Sequence, residues 1–589
     1  MSGPNTTWTW CIQMGAQGIN LKHTVVQAEA GMSRGSANKE EKLEPVHDSV
    51  DYKGRPLLKS SSFGGWRSAM FIIGVEVAER FAYYGISSNL ITYLTGSLGE
   101  STATAAARVN LWSGVASLLP LLGGFVADSF LGRYRTIVIA TIVYLLGLGM
   151  LTLLAVITSH DCPKNGARKS CSPPQLHIGL FYFALYIVAI GQGGHKPCVQ
   201  AFGADQFDGK DPEESKAKSS FFNWWYFSLS MGIVVTLLVL VYIQDNLSWA
   251  LGFGIPCIAM VAALAIFLLG TKTYRYSAKA KTKHPIVRIG LVFVAAIKNW
   301  KITPQAIEFQ EEGCGSSPPH ISKQFKFLNK ALFKPAGVVE DGKACSITEV
   351  EEAKAIMRLI PIWVSCLGYG ILFAQVSTFF TKQGVTMDRT LTSSVNIPPA
   401  TLQIFIGVSI VLLIPVYDRV FVPIARSVTK KSSGITMLQR IGIGMVLSAM
   451  AMVIAALIET KRLNTAQEHG LVNIPKATLP MSVWWLVPQY ILFGAADVFT
   501  IVGLQEFFYD QVPTELRSMG LSFYLSIFGV GSLLSSLLVS VIDKSHKDSW
   551  FDNNLNQAHL DRFYWLLAGL SGGGFLLFLY FAKSYIYKR

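Results

Sequence analysis

Apolar runs of about twenty residues, the length an α-helix needs to cross the hydrocarbon core of a bilayer, recur along this sequence between short polar breaks. Read in order they predict twelve spans, at 68–94, 105–127, 135–158, 176–200, 220–243 and 249–270, then 355–380, 398–421, 435–458, 482–508, 519–541 and 560–583. A chain of 589 residues has room for several soluble domains. A hydrophobic share of 51%, a charged share of 15% and a mean hydropathy of +0.38 point instead to an all-α polytopic membrane protein.

The net charge of +14 would suit a nucleic-acid partner, but the basic residues fall mostly in alternate loops, as topology signals do. Arg133 and Arg135, then Lys210, Lys216 and Lys218, the stretch after Gly270, then Arg419, Arg426, Lys430 and Lys431, and finally Lys583, Lys588 and Arg589 share one side. That side is expected to be cytosolic and to hold both termini. Residues 1–66, with the charged run "NKEEKLEPVHD", read as a disordered cytosolic tail rather than a signal peptide. The sequon at Asn5 is then silent, and the one at Asn246–Ser248 lies close to the membrane.

Residues 67–270 and 355–583 are expected to form two six-helix bundles, followed by a cytosolic tail at 584–589. Residues 271–354 form the cytosolic linker between them, in which "GLVFVAAIKNWKI" predicts a helix packed on the bundle or the membrane surface. Of the eight cysteines only Cys162 and Cys171 stand out, flanking "PKNGARKS" in a non-cytosolic loop. A local disulfide and two free thiols both fit. No cysteine spacing suits a metal.

Two groups of six spans about a long central connection are the layout of major-facilitator transporters, which rock one half against the other about a midplane site. The loop "GGFVADSFLGRYRT", Gly123–Thr136, resembles the loop pattern of that superfamily. In it Gly124 is expected to allow close helix approach, Asp128 to accept hydrogen bonds from a neighbouring helix terminus, and Arg133 and Arg135 to hold the cytosolic face, with Gly132 as the motif's second glycine. A charged helix end that merely obeys topology is the plainer alternative. Thr136 reads either as a helix N-cap or as a kinase target.

The stretch "VEVAERFAYYG", Val75–Gly85, puts Glu76, Glu79 and Arg80 inside the first span. At 100° per residue all three share one face, with Glu76 and Arg80 in the favourable i, i+4 order. A charge at mid-membrane costs about 2.5–3.5 kcal/mol on insertion scales, so such groups pair with one another and face a polar interior. A static ion pair that orients the helix is one reading. Two carboxylates to one guanidinium support another, in which the under-compensated acid carries a proton and couples transport to it.

In the fourth span, "GQGGHKPCVQAFGADQF" places Lys196 well before the helix end, where it needs an acid or an anionic ligand unless it snorkels. His195 beside it reads as a hydrogen-bonded packing residue. Asp497 in "FGAADVFTIVG" has nothing basic within helical reach, so its partner lies across the cavity, with Lys196 as the candidate in one conformational state. Buried neutral, it would need none. Glu506 sits near the cytosolic end of the same span, as a gate residue would. Tyr83, Tyr84, Trp224, Trp225, Tyr226 and Trp363 are candidate cavity-lining aromatics, with packing or interfacial anchoring as the alternative.

"EVAERFAYYG" carries the E-x-x-E-R motif of proton-dependent oligopeptide transporters, and "GGHKPCVQAFGADQFD" is similar to their fourth helix. "FFNWWYFSLSMG" resembles their fifth-helix signature, with Ser230 where asparagine is usual. "DYKGRP", the long central loop and "LVPQYILFGAADVF" resemble the plant branch, the nitrate transporter/peptide transporter family, and the likeness runs from about Asp51 to the C-terminus. It implies a major facilitator fold and proton symport, with Glu76, Glu79 and Arg80 coupling protons and Lys196 and Asp497 forming an inter-bundle salt bridge. Asp497 stands where relatives often carry glutamate, which implies a longer or water-bridged pair.

In "GILFAQVSTFF", Phe373 stands where a nitrate-binding member of the family places histidine, and Phe373 and Gln375 join the cavity-lining candidates. The resemblance implies a proton-coupled symporter for nitrate or a similar small anion, or else for peptides, hormones or other organic solutes. A solute sensor or scaffold with little flux is the reading of another class. No nucleophile, metal or phosphate-loop motif suggests an enzyme. The expected associates are a small-molecule substrate, the proton in place of any cofactor, the bilayer, and a kinase at the cytosolic loops. The membrane is either the plasma membrane or the tonoplast.

Overall fold

The computed structural model describes residues 45–58, 63–161, 174–208, 211–277, 285–300, 324–332, 345–392, 395–430, 435–475, 477–512, 517–545 and 550–585. Asn5, Cys162 and Cys171 lie outside them, as does much of the expected tail and central linker.

The first bundle holds α1 (Gly65–Ser87), α2 (Leu90–Gly96), α3 (Thr102–Val126), α4 (Arg133–Asp161), α5 (Gln175–Ala204), α6 (Pro212–Val235) and α7 (Trp249–Leu269). After α8 (Pro285–Lys298), the second holds α9 (Ile347–Phe373), α10 (Phe379–Gln383), α11 (Ile404–Val416), α12 (Val422–Thr429), α13 (Met437–Glu468), α14 (Val487–Asp510), α15 (Arg517–Ser545) and α16 (Leu560–Ser584). Among the described residues eleven helical stretches are long and apolar enough to cross a membrane. The first helix is the exception, because Arg67, Glu76, Glu79 and Arg80 interrupt its 23 residues. It still packs lengthwise against α5, α6 and α7 and so completes the expected twelve spans.

Several boundaries move for local reasons. The expected span 68–94 is broken, since Ser88 Oγ bonds the Tyr84 carbonyl at 2.5 Å and Asn89 Nδ2 turns away to Asp245 at 2.8 Å. Short polar side chains of this kind compete with the helical ladder. The seventh helix starts well before residue 355, because Ser346 and Glu349 form a reciprocal capping box. The ninth runs on to Glu468, held by an ion pair between Glu459 and Arg462.

The expected tail is not disordered throughout. Residues Pro45–Val50 form β1, which pairs antiparallel with β2 (Pro56–Leu58) and with β3 (Tyr276–Ser277) beyond α7. The Asp51 carboxylate accepts from the Lys53 and Arg55 amides at 2.8 Å, and Gly54 turns the chain at φ +80°. The central helix α8 packs on the second bundle, with Ile289, Val292 and Ala296 against Leu328, Val350 and Ala353.

Arg275, just before β3, ties the ends of α1, α6 and α7 together. Its fork meets Glu214 at 2.6 and 3.0 Å, and its Nε donates to the Phe63 carbonyl at 2.9 Å. Glu214 lies before the apolar stretch that begins at Ser220. Burial pushes its carboxyl up, but the Arg275 fork and the Asp208 amide outweigh it and hold the carboxyl below the ordinary glutamate range. A depressed value means the contribution is complete at neutral pH and is lost as pH falls through the folded-state value. Arg275→Ala is expected to cost about 2 kcal/mol at neutral pH, and thermal melts should show that the deficit shrinks in acid.

The two bundles meet along α3 and α15. A Cβ on Gly114 would lie 2.7 Å from Leu533, and one on Gly529 would lie 2.7 Å from Leu118, so small residues set this close approach. Cross-bundle hydrogen bonds cluster toward the end away from the central connection. There Thr102 N donates to Asn553 at 3.0 Å, Lys382 Nζ to Thr95 at 3.1 Å, Thr401 Oγ1 to the Leu237 carbonyl at 2.9 Å and Gln403 Nε2 to the Ser88 carbonyl at 3.0 Å. Through these bonds that end is closed.

Candidate functional site

The three charged residues of α1 meet as their spacing predicts. Arg80 Nε lies 3.1 Å from Glu76 Oε1, and Arg80 also forms an ion pair with Glu79. All three are buried, Glu79 completely. The guanidinium approaches the carboxylates at ion-pair distance but off the hydrogen-bond directions, which leaves Glu76 Oε2 and both Glu79 oxygens without a hydrogen-bond donor. Arg80 also lies 5.8 Å from the centre of the Tyr83 ring.

The glycines of α5 bring a second set of groups to this cluster. A Cβ at Gly191 would lie 2.7 Å from the Tyr144 backbone of α4, and one at Gly194 would lie 2.9 Å from Ala140. Pro197 cannot donate the helical bond to the Gly193 carbonyl, and that carbonyl faces Gly123 of α3 with no room for a side chain. Held this closely, α5 presents both His195 and Lys196 to α1. Lys196 is half-buried, has no ion pair among the described residues, and interacts electrostatically with Glu76, Glu79 and Arg80.

Two sequence expectations change here. The carboxylate excess counted on α1 alone is offset by Lys196, so the cluster sets two carboxylates against two cations. His195 is also not a hydrogen-bonded packing residue. It is fully buried, neither ring nitrogen has a hydrogen-bond partner among the described residues, and its ring lies with Glu76 and Glu79 in one group whose polar atoms fall within 4.8 Å. A cation could use the same three ligands, but Arg80 already supplies positive charge to both carboxylates.

Asp497 is buried on α14, and its carboxylate accepts a hydrogen bond from Tyr369 of α9 rather than pairing with Lys196. Tyr369 escaped the sequence reading. Its signal is a hydroxyl in an apolar span, which needs a partner when buried. Tyr84, on the opposite bundle from Asp497, is within electrostatic reach of both Arg80 and Asp497. Glu506 pairs with Arg440 of α13 at 3.7 Å, within its own bundle.

Tyr83, Tyr84, Trp363 and Phe373 are half-buried. Tyr83 stacks on Trp112 at 5.8 Å, Trp363 donates to Ser526 at 2.9 Å, and Phe373 packs edge-on against Phe528 at 4.9 Å. Gln375 belongs to the bundle seam instead, where its Nε2 and Asn110 Nδ2 both reach Ser535 Oγ, at 2.9 and 3.0 Å. Trp225 is a packing residue against Phe221, and Trp224 is 55% exposed with its ring edge-on to Phe227. The side chain of Tyr226 is outside the described set.

At the loop after α3, Arg133 bridges Asp128 at 3.5 Å and Asp205, a partner not anticipated from sequence, at 2.5 Å. Gly132 has φ +80°, which a side chain would disfavour. The close helix approach belongs to Gly123, since a Cβ at Gly124 would make only ordinary contact with Pro197 at 3.6 Å. Thr136 is neither an N-cap nor open to a kinase. It lies inside the first turn of α4, 5% exposed, with its hydroxyl on the Gly132 carbonyl at 3.0 Å.

Comparison with known proteins bears on what such a site belongs to. A family model described as the POT family matches residues 134–558. Two Arabidopsis thaliana proteins, NRT1/PTR family 5.10 and NRT1/PTR family 5.14, are 65% and 59% identical, over 92% and 93% of this chain and 96% and 97% of their own lengths. The fold is similar to the crystal structure of an auto-inhibited POT family peptide transporter, with TM-score 0.65 and 22% identity over 89% of this chain and 98% of that one. It is also similar to the POT family transporter PepTSo, with TM-score 0.64 and 21% identity over 88% and 98%.

Proposed function

Since the chain belongs to the POT family of membrane transporters, and so is a transporter of major facilitator fold rather than an enzyme, we propose that it is a proton-coupled symporter for nitrate or a similar small anion. The observation that carries the reading is the buried cluster of Glu76, Glu79, Arg80 and Lys196, set across the bundles from Asp497. With His195 neutral, its two carboxylates and two cations balance. One added proton makes the cluster net positive, which weakens its hold on Lys196 and attracts an anion. Lys196 is then free to pair with Asp497 when the bundles close, once Tyr369 yields its bond. A proton gradient thereby biases two states of one transporter.

Phe373 lies in an aromatic wall with Phe493 and Phe528 and offers an anion nothing, so the positive charge on the path comes from Lys196 and Arg80. A half-buried lysine with no ion pair among the described residues favours an anionic passenger. A peptide reading has its own support, because Lys196 and Asp497 on opposite bundles would suit the two ends of a zwitterion. In both readings the basic loops support a cytosolic side for the termini and the central connection, at the plasma membrane or the tonoplast.

Uptake of isotope-labelled nitrate, dipeptides and plant hormones into proteoliposomes, at acidic and neutral external pH, tests the proposal. Nitrate accumulation that rises with external acidity is expected. Accumulation of dipeptide alone would move the assignment to the peptide reading, and pH-independent binding without accumulation of any solute would favour the sensor.

A further inference from the structure

We propose that His195 is a proton-holding member of the coupling cluster, which takes up one proton shared between its ring and Glu79 and a second on the Glu76 and Glu79 carboxylates, and so loads in two steps. The proposal rests on the proton-coupled reading above. Its basis is geometric. An imidazole with both ring nitrogens buried and no partner among the described residues is costly, by roughly 1–3 kcal/mol for an unmade buried hydrogen bond. A packing histidine would have that bond. Here carboxylate oxygens of Glu76 and Glu79 lie within 4.8 Å of the ring, and Glu76 Oε2 and both Glu79 oxygens themselves lack donors. The carboxylate oxygens only accept, and a neutral imidazole has one N–H and one bare nitrogen, so ring and carboxylates cannot all be satisfied by each other until a proton is added.

The added proton supplies the missing donor. Hydronium gives its proton to a ring nitrogen of His195, forming an N–H bond and leaving water, and the imidazolium then donates to a Glu79 oxygen. Equivalently, a protonated Glu79 donates its O–H to the neutral ring. The neutral ring has one N–H to give and one nitrogen that accepts, so either arrangement adds one donor to the single N–H that the ring and the carboxylates could otherwise share, and the extra bond favours loading. The surroundings of His195 are consistent with this. From α1 it is faced by Glu76, Glu79 and Arg80, the Tyr144 hydroxyl of α4 is buried within reach of the same three groups, and Lys196 is its neighbour on its own helix. Arg108, the charged residue of α3, is occupied by Glu100, and the charges of α6 lie in its first two turns. The carboxylates are thus the groups that can welcome a positive ring, against the opposing charge of Arg80.

The test needs no substrate. The full chain is reconstituted in proteoliposomes on a solid-supported membrane, and the charge displaced by a proton-concentration jump is recorded across pH for the unaltered protein, His195→Gln and His195→Asn. The unaltered protein should titrate in two coupled steps, and either variant should lose one of them, with displaced charge falling by about half. Unchanged charge and midpoint in the variants would overturn the proposal. So would a single-step titration of the unaltered protein, which decides the matter even if both variants fail to fold. A complete absence of proton-induced charge in the unaltered protein would instead bring down the coupling reading itself, whereas a failure to move nitrate would leave this result standing.

Discussion

Glu79→Gln and Arg80→Ala are each expected to cut proton-driven accumulation by about 5- to 150-fold, the span of typical coupling energies, while the chain still inserts and folds. Glutamine keeps the volume and polarity of Glu79, which is fully buried against Arg80, but it cannot take up and release a proton. The variant is frozen in something close to the loaded charge state. Arg80→Ala acts from the other side. With the guanidinium gone, Glu76 and Glu79 face each other with Lys196 as their nearest cation, and like charges in a buried site hold a proton rather than exchange it. In both cases the two states of the transporter lose their dependence on the gradient. Substrate exchange across the membrane without a pH gradient should survive better in Glu79→Gln than net accumulation does, which separates lost coupling from lost binding. Uptake with unaltered pH dependence in either variant would remove these residues from the coupling role.

What could be read from the sequence follows from how local the signal is. A run of twenty apolar residues and a face shared by Glu76, Glu79 and Arg80 depend only on spacing along one helix, and both are present in the fold. The break at Ser88 was legible in principle, because serine and asparagine side chains compete with the helical ladder wherever they occur in series. Other features depend on which helices become neighbours. Tyr369 reaches Asp497 from another helix, and His195 joins the charges of α1 only because the α5 glycines let two backbones touch. Gly123 and Gly124 are indistinguishable in sequence, and the crossing with Gly193 selects the first. Gln375, read as lining the cavity, is turned into the seam by Ser535 on α15. Pairings of this kind carry no trace at fixed spacing.

The largest effect on stability is expected far from the coupling site, at Arg462. This side chain is completely buried near the end of α13 and uses all five donors of its fork. Nε and Nη2 meet Glu459 at 2.9 and 2.6 Å, Nη1 donates to Thr386 and Asn556 at 3.0 Å each, and Nη2 also reaches the Leu555 carbonyl at 2.5 Å. Removing one partner of a buried pair strands the other, at a cost of about 3–5 kcal/mol. Arg462→Ala should therefore lower the melting temperature sharply in detergent or nanodiscs. Arg462→Lys should restore little, because a point charge cannot replace the planar fork. Glu459→Gln in the Arg462→Ala background should recover part of the loss, since the stranded charge is then gone. A double variant no more stable than Arg462→Ala would show that the cost lies in the lost bonds to residues 386 and 555–556 instead. The same loop carries Asn553, which accepts from Thr102 across the bundles, so loosening Arg462 also slackens one of the bonds that close this end of the transporter. A loss of stability should then be accompanied by a population shift toward the state open at that end, readable as faster labelling of a cysteine introduced at Thr102.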